Sequence, residues 1–355
     1  MTQKFDHGYA LLIAVNESSV STAALPDVIK DATALRDVLV HPDRCAYAPK
    51  NVKFLAGKES TRAGIAGGLD WLRDKLEADT SGEATAIIYF TGHGHTEVGK
   101  YYLIPYDVNL KRIKTSALGA EDFAGDVAAL QPRRLLVVFD CCHAAGMEVK
   151  DVAARDAIRS TAVPPALFMT GQQAISMETS GKGLGALERD AGRAILNSCQ
   201  ATEQSYIRKD RKMSIFTYHL IEALTGRAQP QAGAQEVLVS DIVSHIHRRV
   251  PDSARFDWQA DQHPWCEVSG NFPVALLLGG KGLGVNETAP DPLELKLPPE
   301  RTGTSYHGKV TGAGALAQGP NATALGQGAM IIRGDNKGNA NTGTQTFTNT
   351  DHDPD

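Results

Sequence analysis

Two short segments carry the residue types that could do chemistry: Tyr89-Phe90-Thr91-Gly92-His93-Gly94-His95 and Phe139-Asp140-Cys141-Cys142-His143-Ala144-Ala145-Gly146. A cysteine attacks as the thiolate, and an imidazole within reach can take its proton. Each segment directly follows an apolar run of strand type, ATAIIYFT (84–91) and LLVVFD (135–140). In an open α/β sheet, side chains just past the carboxyl ends of the strands converge on the ligand crevice. If these two strands are neighbours, a histidine and a cysteine face each other across it. The glycines around His93 let the backbone bend and leave an N–H exposed. The Gly94 amide is therefore a candidate oxyanion donor, with the Cys142 amide as the second.

The elements that must position these residues alternate between strand and helix up to about residue 280. Ala10–Asn16 and Val52–Ala56 read as strands, and Ala194–Ser198 as another. Residues 24–39 read as a helix, with Leu25, Ile29, Ala32, Leu35 and Leu39 at steps of three and four. Ile65–Leu76, Ile215–Leu224 and Val239–Arg248 are further helices. The two strands before the chemical segments are apolar on consecutive residues, as expected of strands covered on both faces. This order predicts an α/β three-layer sandwich, with a mostly parallel central sheet and helices on both sides.

The 355 residues suffice for one large domain and an appendage. A formal charge of −5 excludes a global basic field for nucleic acid or an anionic membrane. No apolar run approaches the ~20 residues of a membrane helix, and the first residues lack the pattern of a signal peptide. Five cysteines (Cys45, Cys141, Cys142, Cys199, Cys266) are an odd, sparse set without metal-site spacing. A reducing, cytoplasmic setting is the expectation. Residues 147–192 lose periodicity and read as a mobile loop. Residues 281–304 read as a linker. In 305–355, rich in Gly, Ala, Asn and Thr, small residues alternate, so a short β-rich assembly segment and a disordered tail both remain open.

The two chemical segments resemble the His block and the Cys block of metacaspases and bacterial caspase-like peptidases. They stand roughly 50 residues apart, the separation usual in caspases. YYLIPYD (101–107), SCQATEQSY (198–206) and SIFTYHLIEAL (214–224) resemble later segments of that family in the same order. The likeness covers about residues 8–278. It implies a peptidase domain over 1–280, with a large-subunit-like region at 1–146 and a small-subunit-like region at 193–280. It also implies that Cys142 is the nucleophile and His93 its base, with Cys141 at the variable position. Cys141 alone reads as a small buried apolar residue.

Specificity follows from charge. Caspases with acidic P1 preference carry glutamine two positions before the cysteine; this chain has Asp140. A carboxylate there repels acidic P1 residues and attracts Arg or Lys. The resemblance places Asp31 as the partner carboxylate and Ser116 as a further pocket residue. Asp27 and Asp31 alone, at i and i+4, would suit a solvated helix face equally well. The expectation is a cysteine endopeptidase cutting after Arg, and after Lys, through a thioester acyl-enzyme. Lys150, Arg155, Arg159, Lys182, Arg189 and Arg193 offer sites for self-cleavage. No cofactor or metal site is expected; Glu188 and Asp190 are too thin a pair for the calcium that activates many metacaspases. By analogy the setting is regulated defence or cell death, with self-association or a partner acting through 305–355. The alternative is a binding module of the same fold with little catalysis.

Overall fold

The structure is a computed structural model that describes residues 4–20, 24–97, 100–141, 175–177, 191–200, 203–228, 234–278, 316–318 and 330–332. In chain order the strands begin with β1 (Gly8–Ala14), β2 (Val52–Ala56), β3 (Thr85–Thr91), β4 (Gly94–Glu97), β5 (Lys100–Leu103) and β6 (Leu118–Gly119). They continue with β7 (Arg134–Asp140), β8 (Ile175–Met177), β9 (Gly192–Asn197), β10 (Glu236–Leu238), β11 (Trp265–Ser269) and β12 (Pro273–Leu276). The helices are α1 (Val28–Val40), α2 (Arg62–Glu77), α3 (Ile113–Ser116), α4 (Ala120–Ala129), α5 (Ile215–Leu224) and α6 (Val239–Trp258).

The central sheet has the order β2-β1-β3-β7-β9-β11-β8. From β2 to β9 all neighbours are parallel, and β11 is antiparallel to both β9 and β8. Period-two alternation sorts the strand side chains onto two faces. Leu12, Tyr89, Val138 and Leu196 lie in one apolar layer with α1, α5 and α6. Leu11, Phe90, Phe139 and Ile195 lie in the other with α2 and α4. Every residue of β1, β3 and β7 is buried, which explains why these strands read as unbroken apolar runs. A small antiparallel sheet β4-β5-β6 stands beside the main one, and β10 pairs with β12.

Helix starts follow local chemistry. The Thr61 hydroxyl caps α2 by accepting from the Gly64 amide, and the Ser214 hydroxyl caps α5 by accepting from the Thr217 amide. The apolar pattern of α6 predicts a stop at Arg248, but the helix runs on to Trp258 with Pro251 inside it. Proline costs a helix one hydrogen bond. Here Val250, Pro251 and Ala254 are buried, so packing outweighs that loss.

The chain divides into two units, Met1–Pro298 and Pro299–Asp355. In the second, β13 (Leu316–Gln318) and β14 (Met330–Ile332) pair in parallel. The 147–192 loop, apart from β8, and the 281–304 linker lie outside the described residues except at 191–192.

Candidate active site

Register decides how the two chemical segments meet. β3 and β7 are adjacent and parallel, and Thr91 pairs with Asp140 at their carboxyl ends. His93 and Cys142 each follow that pair by two residues in the sequence. Cys142 itself lies outside the described residues. His93 is half-buried, and its carbonyl accepts from the Ile104 amide at 3.0 Å, which ties it to the end of the hairpin strand β5. His95 is buried within β4, and desolvation holds its imidazole below the usual range.

Gly94 is fixed by its neighbour. A Cβ at this position would overlap the Tyr101 hydroxyl, so a larger residue here must displace the buried Tyr101 ring or the β4 backbone. The Tyr101 hydroxyl lies by the Cys141 thiol, and burial pushes both groups up. Cys141 is 5% exposed and packs in the α2–α4 layer as a small apolar side chain.

The expected pocket carboxylates come together from distant elements. Asp140 is fully buried at the end of β7, and Asp31 is 2% exposed in the first turn of α1. Ser214 joins them: its amide donates to Asp31 Oδ1 at 2.8 Å, and its hydroxyl donates to Asp140 Oδ2. Thr217 Oγ1 donates to the same Asp140 oxygen at 2.7 Å, and Ser205 Oγ to Oδ1 at 3.2 Å. Burial first, then the charge of Asp140, raises the Asp31 carboxyl well above the carboxylate range; the Ser214 amide opposes this.

The residues 203–214 that carry Ser205 are anchored from α6 and the segment after it. Gln262 Nε2 donates to Ser205 Oγ at 3.1 Å and to the Ser198 carbonyl at 2.9 Å, while its Oε1 accepts from the Tyr206 amide. Trp258 Nε1 donates to the Ile207 carbonyl at 2.7 Å. Thr91 adds a further group. By alternation from Tyr89 it faces the same layer as Asp140, and its buried hydroxyl has no partner among the described residues.

Ser116 is placed elsewhere in the hydrogen-bond network. Its hydroxyl donates to the Arg112 and Asn109 carbonyls at 2.9 and 3.2 Å and accepts from the Asn109 amide, closing the loop 109–116. Sequence patterns assign no role to Ser205, Ser214, Thr217, Gln262 or Thr91, although all but Gln262 fall in segments that carry the family resemblance.

One set of donor atoms among the described residues has metal-like proximity: His219 Nδ1, Glu222 Oε2 and His245 Nε2, all within 4.8 Å of one another. They are engaged with each other, at 2.7 Å for His219 and 3.1 Å for His245, and Arg227 donates to the other Glu222 oxygen at 3.2 Å. The set is a buried clamp between α5 and α6. Glu188 and Asp190 lie outside the described residues. No helix among the described residues is long and apolar enough to cross a membrane.

The family model of the caspase domain matches residues 7–273, three quarters of the chain. The chain belongs to the caspase family. It is thus a cysteine peptidase, a hydrolase acting on protein substrates, and its sheet with helices on both faces is the caspase-like sandwich expected. The crystal structure of the Drosophila initiator caspase Dronc matches at 8% identity with a TM-score of 0.45, covering 80% of this chain and 87% of that one. No curated protein matches the sequence.

Proposed function

We propose that this caspase-family chain is a metacaspase-like endopeptidase that hydrolyses peptide bonds after Arg, and after Lys, using Cys142 and His93. The observation that carries the P1 assignment is the buried acid pair Asp31–Asp140, tied to one serine at the end of the strand that leads into Cys142. Among the described residues, the hydroxyls of Ser205, Ser214 and Thr217 and the Ser214 amide donate to it. A pair of carboxylates held away from water suits a cation and opposes a second anion. The Thr91 hydroxyl, on the same face, would complete the floor.

In the reaction His93 takes the Cys142 proton and the thiolate attacks the carbonyl carbon of the P1 residue. The amides of Gly94 and Cys142 hold the resulting oxyanion. His93 returns the proton to the leaving amine, which leaves a thioester; a water, deprotonated by His93, then hydrolyses it and frees the thiol. The basic residues at 150–189 offered for self-cleavage lie outside the described residues, and Arg193 is half-buried in β9. Self-cleavage there, a cytoplasmic place in bacterial defence or cell death, and assembly through 305–355 stand by analogy. Profiling P1 Arg, Lys and Asp peptides tests the assignment: Arg is expected to lead, and a lead for Asp would overturn it.

A further inference from the structure

The pocket floor is asymmetric in its hydrogen bonding. Asp140 accepts from the hydroxyls of Ser205, Ser214 and Thr217, whereas Asp31 accepts one backbone N–H, that of Ser214. Ser214 is at once the N-cap of α5 and a residue bonded to both carboxylates. Its hydroxyl donates to Asp140 while accepting from the Thr217 amide at 2.9 Å, so its rotamer is held from two sides. The positive end of α5 is thereby aimed at the pair.

Resting on the basic-P1 reading above, we propose that Ser214 is a specificity-determining positioning residue. It gives Asp140 the hydroxyl donors and leaves Asp31 with a backbone N–H, so that Asp31 waits as the neutral acid and an entering P1 cation displaces one proton from it to solvent. The step balances. The Asp31 carboxylic acid loses its O–H proton to buffer, and the carboxylate left behind pairs with the guanidinium or ammonium. The pocket carries the same net charge empty and filled, because the proton lost offsets the cation gained. That constancy has a physical reason, because two buried anions on one serine repel and a lone buried carboxylate pair rarely ionises fully.

The groups facing Asp31 agree with this division. Asp140 from β7 and Asp27 from the start of α1 both disfavour its ionisation, as does burial. Lys30, on α1 itself, favours ionisation, but its ammonium is engaged by Asp27 Oδ1 at 2.6 Å and by the Arg211 carbonyl at 3.2 Å. The Ser214 amide is the remaining favourable contact. A neutral P1 side chain supplies no charge to replace the proton, and an acidic one meets Asp140. Selectivity then depends on pH in a way that ordinary charge pairing does not.

The test uses the full chain carrying Cys142→Ala, which binds without cutting. A peptide with P1 Arg and its norleucine counterpart are titrated calorimetrically between about pH 5.5 and 8.5, in two buffers of different ionisation heat. Expected is release of about one proton per Arg peptide, with affinity falling up to about tenfold per pH unit as pH drops. Asp31→Asn should abolish the release. Ser214→Thr, which keeps the hydroxyl and the cap, should preserve it. Ser214→Ala should narrow the Arg-over-norleucine ratio about tenfold, and Thr217→Val, which leaves the cap intact, should narrow it in the same direction. Arg-selective binding without proton exchange, or a ratio unmoved by both Ser214→Ala and Thr217→Val, would overturn the proposal and leave the basic-P1 reading standing. No preference for Arg over norleucine at any pH would remove that reading, and this proposal with it.

Discussion

At the residue scale, Asp31 shows most plainly how function opposes stability. Its carboxyl is raised by burial and by Asp140. A group whose folded value lies above its unfolded value contributes stability below the unfolded value, near pH 3.8, and loses it as pH rises towards the folded value. Towards neutral pH Asp31 therefore weighs against the fold, which disfavours the charged form that the unfolded chain adopts. Asp31→Asn is expected to raise the melting temperature while lowering kcat/KM on a P1 Arg peptide about 100-fold, the scale of losing one partner of a buried charge pair. Thermal denaturation alongside kinetics checks both halves, and a variant that is less stable and fully active would contradict the assignment. Exchange of the proposed base is a harsher change. His93→Ala is expected to lower kcat by about 1000-fold or more with the melting temperature nearly unchanged, since His93 is half-buried and lies outside both main apolar layers.

At the element scale, two contacts hold the machinery in place. The β4–β5 hairpin closes on Gly94, where the Tyr101 hydroxyl occupies the space of a side chain. Gly94→Ala should displace the backbone that carries both His93 and the amide proposed as an oxyanion donor. A loss of kcat of about 100-fold with a smaller change in KM is expected from steady-state kinetics. Beneath the pocket, α5 and α6 are joined by Glu222. Burial alone would raise its carboxyl, but hydrogen bonds from His219 and His245 hold it low. Burial pushes His219 down to about 4. An imidazole depressed on folding takes up its proton more readily in the unfolded chain, so stability falls as pH drops from about 6.5 towards 4. Chemical denaturation across that range should show a decline of about 3 kcal/mol. Glu222→Gln should lower stability at pH 7 by about 3 kcal/mol, because two buried imidazoles and Arg227 lose their shared anion.

Those same elements show what was legible in the sequence. β2 and α5 fall on the residues expected of them, and β3 and β7 begin within one residue of expectation, the last two because each is a continuous apolar run. The neighbouring, parallel placement of β3 and β7 is conditional in the sequence and is met by their register. The far end of α6 is hidden by Pro251, which ordinarily ends a helix. The antiparallel turn of the sheet at β11 has no local signal, since strand direction depends on the connection and not on composition. The pocket is half legible. Asp140 and Asp31 are found through resemblance, but Ser205 and Thr217 meet Asp140 across 65 and 77 residues of chain. Their hydroxyls look in sequence like ordinary turn and helix residues.

At the scale of the whole molecule, the matched caspase domain ends at residue 273 and the first unit at Pro298. Both apolar layers, the clamp and the acid pair lie within that unit. A chain ending at Pro298 is expected to keep kcat/KM within about twofold of the full chain, since an unchanged site should stay within roughly half a kcal/mol. Loss of hydrolysis on this truncation would show that the second unit contributes to the active structure. The carboxyl-terminal unit carries the small parallel pair β13–β14, so any effect of its removal on self-association would be read by sedimentation.

The central claim joins a thiol nucleophile to a pocket for a cation. It is tested most directly by kcat/KM for one peptide series differing only at P1, with Arg, Lys, norleucine and Asp, cleaved by the purified chain and by Cys142→Ala. Arg is expected first, Lys next, norleucine lower by about 100-fold or more, with no cleavage after Asp and no cleavage of any member by Cys142→Ala. Preferred cleavage after Asp, or turnover that survives Cys142→Ala, would contradict it.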